Sequence, residues 1–172
     1  LENFNQRYLD VTVMSGVFVT DLNGEHQMKL LHKNNLFCWS RFDDDRNIDF
    51  HSYVWVREEG SVVFDPLPIS EHDLKHLLSL GQVKYIIVSN SDHVRNAQVL
   101  ADQTGAEICG PAGEKMSFPI CCAQWLEEGA MVCDGLAVFR LSGSKTEGEL
   151  AFVIEGDTLL TGDLIRAHSG GK

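Results

Sequence analysis

One short run constrains this chain more than any other: Lys84-Tyr85-Ile86-Ile87-Val88, which stops abruptly at Ser89-Asn90-Ser91-Asp92-His93. Consecutive apolar residues in a β-rich run of this length suit a strand covered on both faces, the usual setting in a layered α/β sheet. The polar turn after it lies where such sheets hold ligands, because loops there project side chains without disturbing the core. The flanks agree. Ser70 is a credible N-cap with Asp73 at the capping-box position, Leu74, Leu77 and Leu78 recur at helical spacing, and Gly81 ends that helix. A second helix is predicted over about 93–103, stopped by Gly105, with a short strand over 106–109.

Upstream, residues 52–56 and 61–65 read as two strands joined by the turn Arg57-Glu58-Glu59-Gly60. Pro66 and Pro68 end this hairpin because proline cannot donate to a ladder. Downstream, a helical turn is predicted around 123–127, and 136–141, 149–155 and 158–161 read as strands, the last two joined by a tight turn at Gly156-Asp157. Hairpins first and β-α-β later predict a sheet with helices on its outer faces. Residues 1–27 carry the turn signal Leu22-Asn23-Gly24 but no strong period, so they are expected to form an N-terminal extension to a domain over 28–172.

Composition narrows the function classes. A chain of 172 residues fits one domain with a sizeable core. Acids outnumber bases 25 to 14, giving a net charge of -11 that repels phosphate backbones, so no nucleic-acid partner is expected. No run approaches the roughly 20 apolar residues of a membrane span. The apolar stretch over 11–20 is too short and follows Asp10 instead of a basic region, so no signal peptide and a cytoplasmic location are expected. Cys38, Cys109, Cys121, Cys122 and Cys133 form no C-x-x-C pair and read as small apolar residues in a reducing compartment. Asp43-Asp44-Asp45 reads as a solvated loop, and Trp39, Trp55 and Trp125 read as core anchors. His72 and His76 share a helical face but read as surface residues. Ser144-Lys145 as a nucleophile pair would need two loop neighbours to point together. Ser169-Gly170-Gly171-Lys172 lacks the spacing of a phosphate-binding loop.

The order of these motifs resembles the metallo-β-lactamase superfamily over residues 28–172. The resemblance rests on the hairpin ending in Asp65, the strand-loop-helix at Asp92-His93, the loop from Gly143 to Gly148 and the strand ending at Gly162-Asp163. It implies an α/β fold of the α+β kind, a four-layer αββα sandwich that here lacks its C-terminal part. It also implies a His-x-His-x-Asp-His loop, a third histidine in a later loop, a strand-end aspartate and a final histidine, which together hold two metals that activate water for hydrolysis.

On this chain the match is partial. Asp92 and His93 fill the last two positions of the loop motif and Asp163 the metal-bridging position, while Val88 and Asn90 stand in place of the first two histidines and Lys145 in place of the third. His168 lies near Asp163 but at the wrong spacing for the last one. Val88 has no donor atom, Asn90 offers a neutral amide oxygen, and the Lys145 ammonium repels a cation. A catalytic zinc needs about three protein ligands. The dinuclear centre is therefore not expected, and no cofactor is fixed by these residues.

Two expectations follow. In one, Asp92, His93 and Asp163 hold a single divalent metal, zinc, iron, manganese or magnesium, for a divergent hydrolase of an ester, thioester or phosphoester, with Asp92 and Lys145 as its catalytic residues. In the other, the protein is a non-catalytic relative whose cleft binds a small molecule or another protein. Neighbouring carboxylates need a counter-charge, so the Lys145 ammonium is expected beside Asp92 or Asp163, and Asp92 is otherwise expected to cap the helix after it. An uncovered sheet edge or apolar face would favour a homo-oligomer.

Overall fold

The computed structural model of the chain describes residues 28–164. The extension with its turn at Leu22-Asn23-Gly24, together with His168 and Ser169-Gly170-Gly171-Lys172, lies outside the described residues.

Strands β1 (Lys29–Leu30), β2 (Leu36–Asp43), β3 (Ile48–Trp55) and β4 (Ser61–Phe64) form an antiparallel meander. Helix α1 (Glu71–Ser79) then crosses to β5 (Val83–Ile87), and α2 (Ala97–Thr104) crosses to β6 (Glu107–Pro111), so both strands add in parallel. A third parallel strand, β7 (Gln124–Leu126), completes a seven-stranded sheet in chain order. The last three strands, β8 (Leu136–Arg140), β9 (Leu150–Ile154) and β10 (Thr158–Thr161), make a separate antiparallel sheet.

Strand pleat sorts the apolar residues into two cores. Trp39, Val54, Val63 and Ile86 face α1 and α2, where they meet Leu77, Ala97 and Leu100. Leu36, Trp55, Val62, Phe64 and Ile87 face the smaller sheet and meet Leu136, Val138, Phe152 and Ile154. Within β4, Val62 and Phe64 serve the second core and Val63 the first. The described residues thus form three layers, helices, large sheet and small sheet; the second helical layer of a four-layer sandwich is not among them. Among the described residues no helix is long and apolar enough to cross a membrane.

Local structure departs from the sequence expectations in several places. The helix expected over 93–103 is split: a 3-10 turn covers Ser91–His93 and α2 begins only at Ala97. Arg95 lies between them at φ 38°, a left-handed conformation that interrupts a right-handed helix. The helical turn expected around 123–127 is instead β7, because its main chain pairs with Cys109, Gly110 and Pro111. The run Leu36–Asp43 is a strand that sequence periodicity did not single out, paired along its length with β3.

Ser70 caps α1 by accepting from the Asp73 amide, whereas the Asp73 carboxylate accepts from the Met28 amide at 2.8 Å and does not close a capping box. The turn at Asp44 and Asp45 is exposed, Trp39 and Trp55 are core residues, and Trp125 is only partly buried. Cys109 is buried, Cys121 is exposed and all five thiols are free. Burial raises the Cys109 thiol to about 12 and the Cys122 thiol to about 11. Both are therefore inert as nucleophiles at neutral pH. His72 is exposed, and His76 stands edge-on to Phe37 with ring centroids 5.8 Å apart.

Candidate functional site

Three strand ends and one loop converge at one end of the large sheet. β4 ends at Asp65, β5 runs through Val88 into Ser89, and β10 ends ahead of Gly162-Asp163. Between β8 and β9 lies the loop that carries Ser144, Lys145 and Thr146. The loops are tied to one another through main chain: the Leu150 amide donates to the Ser89 carbonyl at 2.9 Å. Gly162 permits the close approach, since a Cβ there would lie 2.7 Å from Ser89 Oγ and 2.9 Å from Glu149 Oε1.

At the centre is His93, buried between two carboxylates. Its Nδ1 lies 2.8 Å from Asp65 Oδ2, and its Nε2 lies 3.4 Å from Asp163 Oδ1. Asp65 also accepts the Ser89 amide and the Ser89 hydroxyl, both at 2.7 Å. Burial alone would raise the Asp65 carboxyl, but the His93 ring and the two Ser89 donors together hold it below its usual range. Burial alone would lower the His93 imidazole; the hydrogen bond and charge of Asp65 outweigh this, and with Asp163 they raise it despite the opposing Arg95. These surroundings favour the protonated form of the His93 imidazole, whose Nδ1 faces Asp65 and whose Nε2 faces Asp163.

Asp92 points elsewhere. It is exposed, its amide is capped by Asn90 Oδ1 at 3.0 Å, and its carboxylate is engaged by the Lys145 ammonium. Lys145 holds the Asp92 carboxyl below its ordinary value, with smaller contributions from His93 and Arg46. Asp92 does not cap α2, whose N-terminal residue Asn96 makes no side-chain cap. Ser144 donates to the Thr146 carbonyl at 2.7 Å, so it does not form a nucleophile pair with Lys145. The structure thus groups the four sequence-derived residues as two pairs, Lys145 with Asp92 and His93 with Asp163.

Three participants escaped the sequence reading. Asp65 was noted only as the end of a hairpin, yet it orients His93 from a left-handed φ of 47°, a strained conformation for a non-glycine residue. Glu149, 1% exposed, accepts the Asp163 amide at 2.6 Å and so fixes the end of β10. Glu114, also buried, accepts the Ser91 amide at 2.8 Å and braces the loop from below. An acid directly after an apolar run, as at Asp65, was the available signal.

Among the described residues, the positions that carry the family's first three histidines offer no strong metal donor. Val88 is fully buried in the helix-side core, Asn90 spends its oxygen on the Asp92 amide, and an ammonium occupies Asp92. Among the described residues no three of His, Cys, Asp and Glu gather closely enough to hold a metal ion. What the arrangement offers is the Lys145 ammonium on Asp92 and an imidazole held between Asp65 and Asp163.

Comparison with known proteins places the fold. No curated protein matches the sequence. Among solved structures, the DIM-1 metallo-beta-lactamase is similar at 14% identity and TM-score 0.66, over 85% of this chain and 73% of that one. The metallo-beta-lactamase IND-7 is similar at 18% identity and TM-score 0.64, over 83% and 73%. ETHE1 from Myxococcus xanthus is similar at 16% and 0.52, with 83% of this chain covering 59% of that protein. Identities this low establish the architecture and leave the chemistry to the site. A model of the metallo-beta-lactamase superfamily matches residues 28–172, and with the sandwich and strand-end site described above, the chain belongs to that superfamily.

Proposed function

We propose that this protein is a metal-independent member of its superfamily, in which the dinuclear zinc centre has been lost and the cleft at the strand ends binds a small molecule. The observation that carries this reading is the Lys145 ammonium seated on Asp92. A cation fixed by a covalent bond takes the carboxylate that a metal would need, and a second ion at that spot would face like-charge repulsion.

The experiment is elemental analysis and zinc or manganese titration calorimetry on protein purified without chelators. The expected result is less than a tenth of an equivalent of bound metal and no saturable heat at micromolar metal. Stoichiometric metal that disappears in Asp92→Ala would overturn the reading in favour of a mononuclear hydrolase.

A further inference from the structure

Beside the His93 cluster, two guanidinium groups converge on one aromatic ring. Arg95 Cζ lies 5.0 Å and Arg46 Cζ 5.8 Å from the centroid of Phe50. Arg46 belongs to the turn between β2 and β3, and its charge is felt at both Asp92 and Arg95, so that turn reaches over the cleft. Its side chain is 72% exposed, and among the described residues its ion pair is a loose contact of 3.9 Å to Asp43 in the same turn.

Arg95 is half-buried and commits one nitrogen, Nη1, to the carbonyls of His51 and Asp65 at 3.4 and 3.3 Å. Among the described residues its Nε and Nη2 have no hydrogen-bond partner, so part of a donor fork is left over. The backbone goes out of its way to put Arg95 there: the chain breaks a helical run with a left-handed residue, φ 38°, close to the left-handed Asp65. Strain of this kind persists where function needs it.

A pair of guanidiniums with spare donors has a chemical preference. The planar fork matches a carboxylate or phosphate in bidentate fashion, and two forks that repel each other gain most from an anion between them. The neighbouring groove of about 490 Å³ shares Phe50 but is lined by Asp43, Asp44 and Asp45. Asp43 is shared with Arg46 and Arg41 also lines the groove, but Asp44 and Asp45 add two further carboxylates there, so an anion favours the guanidinium side of Phe50. Resting on the metal-independent reading above, we propose that Arg46 and Arg95, with Phe50 as the floor between them, bind the oxyanion of the cleft's small-molecule ligand.

The test is a titration of isotope-labelled protein, followed by amide shifts, with inorganic phosphate and with acetate, each against chloride at matched ionic strength. Saturable binding of at least one probe is expected, and the tighter of the two identifies the group as phosphoryl or carboxyl. Arg46→Gln, on an exposed turn, should weaken that binding about tenfold, while Lys75→Gln on α1 should leave it unchanged. Arg95→Lys keeps the charge but loses the fork, and should weaken binding as well; if it does not fold, Arg46→Gln carries the test. No saturation by either anion, or an Arg46→Gln protein that binds like the parent, would overturn the proposal. Metal content measured on the same samples separates the two readings. Anion binding that vanishes on chelation together with stoichiometric metal defeats the metal-independent reading, and metal-free protein that binds no anion defeats the guanidinium site alone.

Discussion

Asp65→Asn is the substitution that interrogates the site most directly. The carboxylate accepts three hydrogen bonds, from the Ser89 amide, the Ser89 hydroxyl and His93 Nδ1. Asparagine keeps one oxygen for the Ser89 amide but turns an NH₂ toward His93 and removes the counter-charge of a buried imidazolium. Breaking a buried pair from one side costs about 3–5 kcal/mol. Ser89 Oγ, 3.1 Å from His93 Nδ1, can turn and recover part of that. We expect a loss of about 3 kcal/mol, or about 6–12 °C in Tm for a domain of this size.

The loss should depend on pH. Asp65 titrates below its unfolded value near 3.9, so its contribution is present above that value and disappears as the pH falls through the folded one. His93 titrates above about 6.5, so its contribution is complete below that value and fades as the pH rises through the folded one. Urea unfolding of both proteins should therefore show the largest difference near pH 5–6 and smaller ones at pH 3 and pH 9. A double-mutant cycle with His93→Gln at pH 5.5 should give a coupling above about 1 kcal/mol. A coupling below about 0.5 kcal/mol, or a stability difference flat across pH, would refute the assignment of His93 as a clamped cation.

Substitutions at three other positions probe the surroundings. Lys145→Met removes an exposed ion pair and should change stability by less than about 1 kcal/mol in urea unfolding. Glu149→Ala strips the Asp163 amide of its acceptor inside the protein and should cost about 1–3 kcal/mol, whereas Glu149→Gln, which keeps an acceptor oxygen, should cost less; chemical denaturation compares them. Gly162→Ala forces a Cβ within 3 Å of both Ser89 Oγ and Glu149 Oε1 and should destabilise by about 1–3 kcal/mol, with amide shift changes centred on Ser89 and Asp163.

Much of this site can be traced to local sequence signals. A buried strand that ends in a polar turn announced itself at Val88, and the glycine ahead of Asp163 marked a second strand end. Placing Lys145 beside an acid needed only the rule that carboxylates in a cleft require a counter-charge. Other features were hidden because they depend on contacts distant in sequence. Asp65 lies 28 positions from His93, and nothing in Phe64-Asp65-Pro66 shows that its carboxylate turns inward. Glu114 and Glu149 look like ordinary surface acids until the loops above them are folded. The split between the 3-10 turn and α2 hinges on the conformation of Arg95, a residue type with no intrinsic preference for positive φ. At Gln124-Trp125-Leu126 the segment is too short for periodicity to declare itself, and pairing with β6 decides the outcome.

The order of strands has a consequence for how the chain reaches this state. In each sheet every strand lies next to its neighbour in sequence, so either sheet can grow by adding one strand at a time through a hairpin loop or a single crossover. The step that brings distant segments together is the meeting of the two finished sheets, where Leu136, Phe152 and Ile154 press onto Trp55, Val62 and Phe64. That encounter also draws the β8–β9 loop and the tail of β10 up against the turn after β5. The cleft is thus assembled by the same encounter that joins the two sheets.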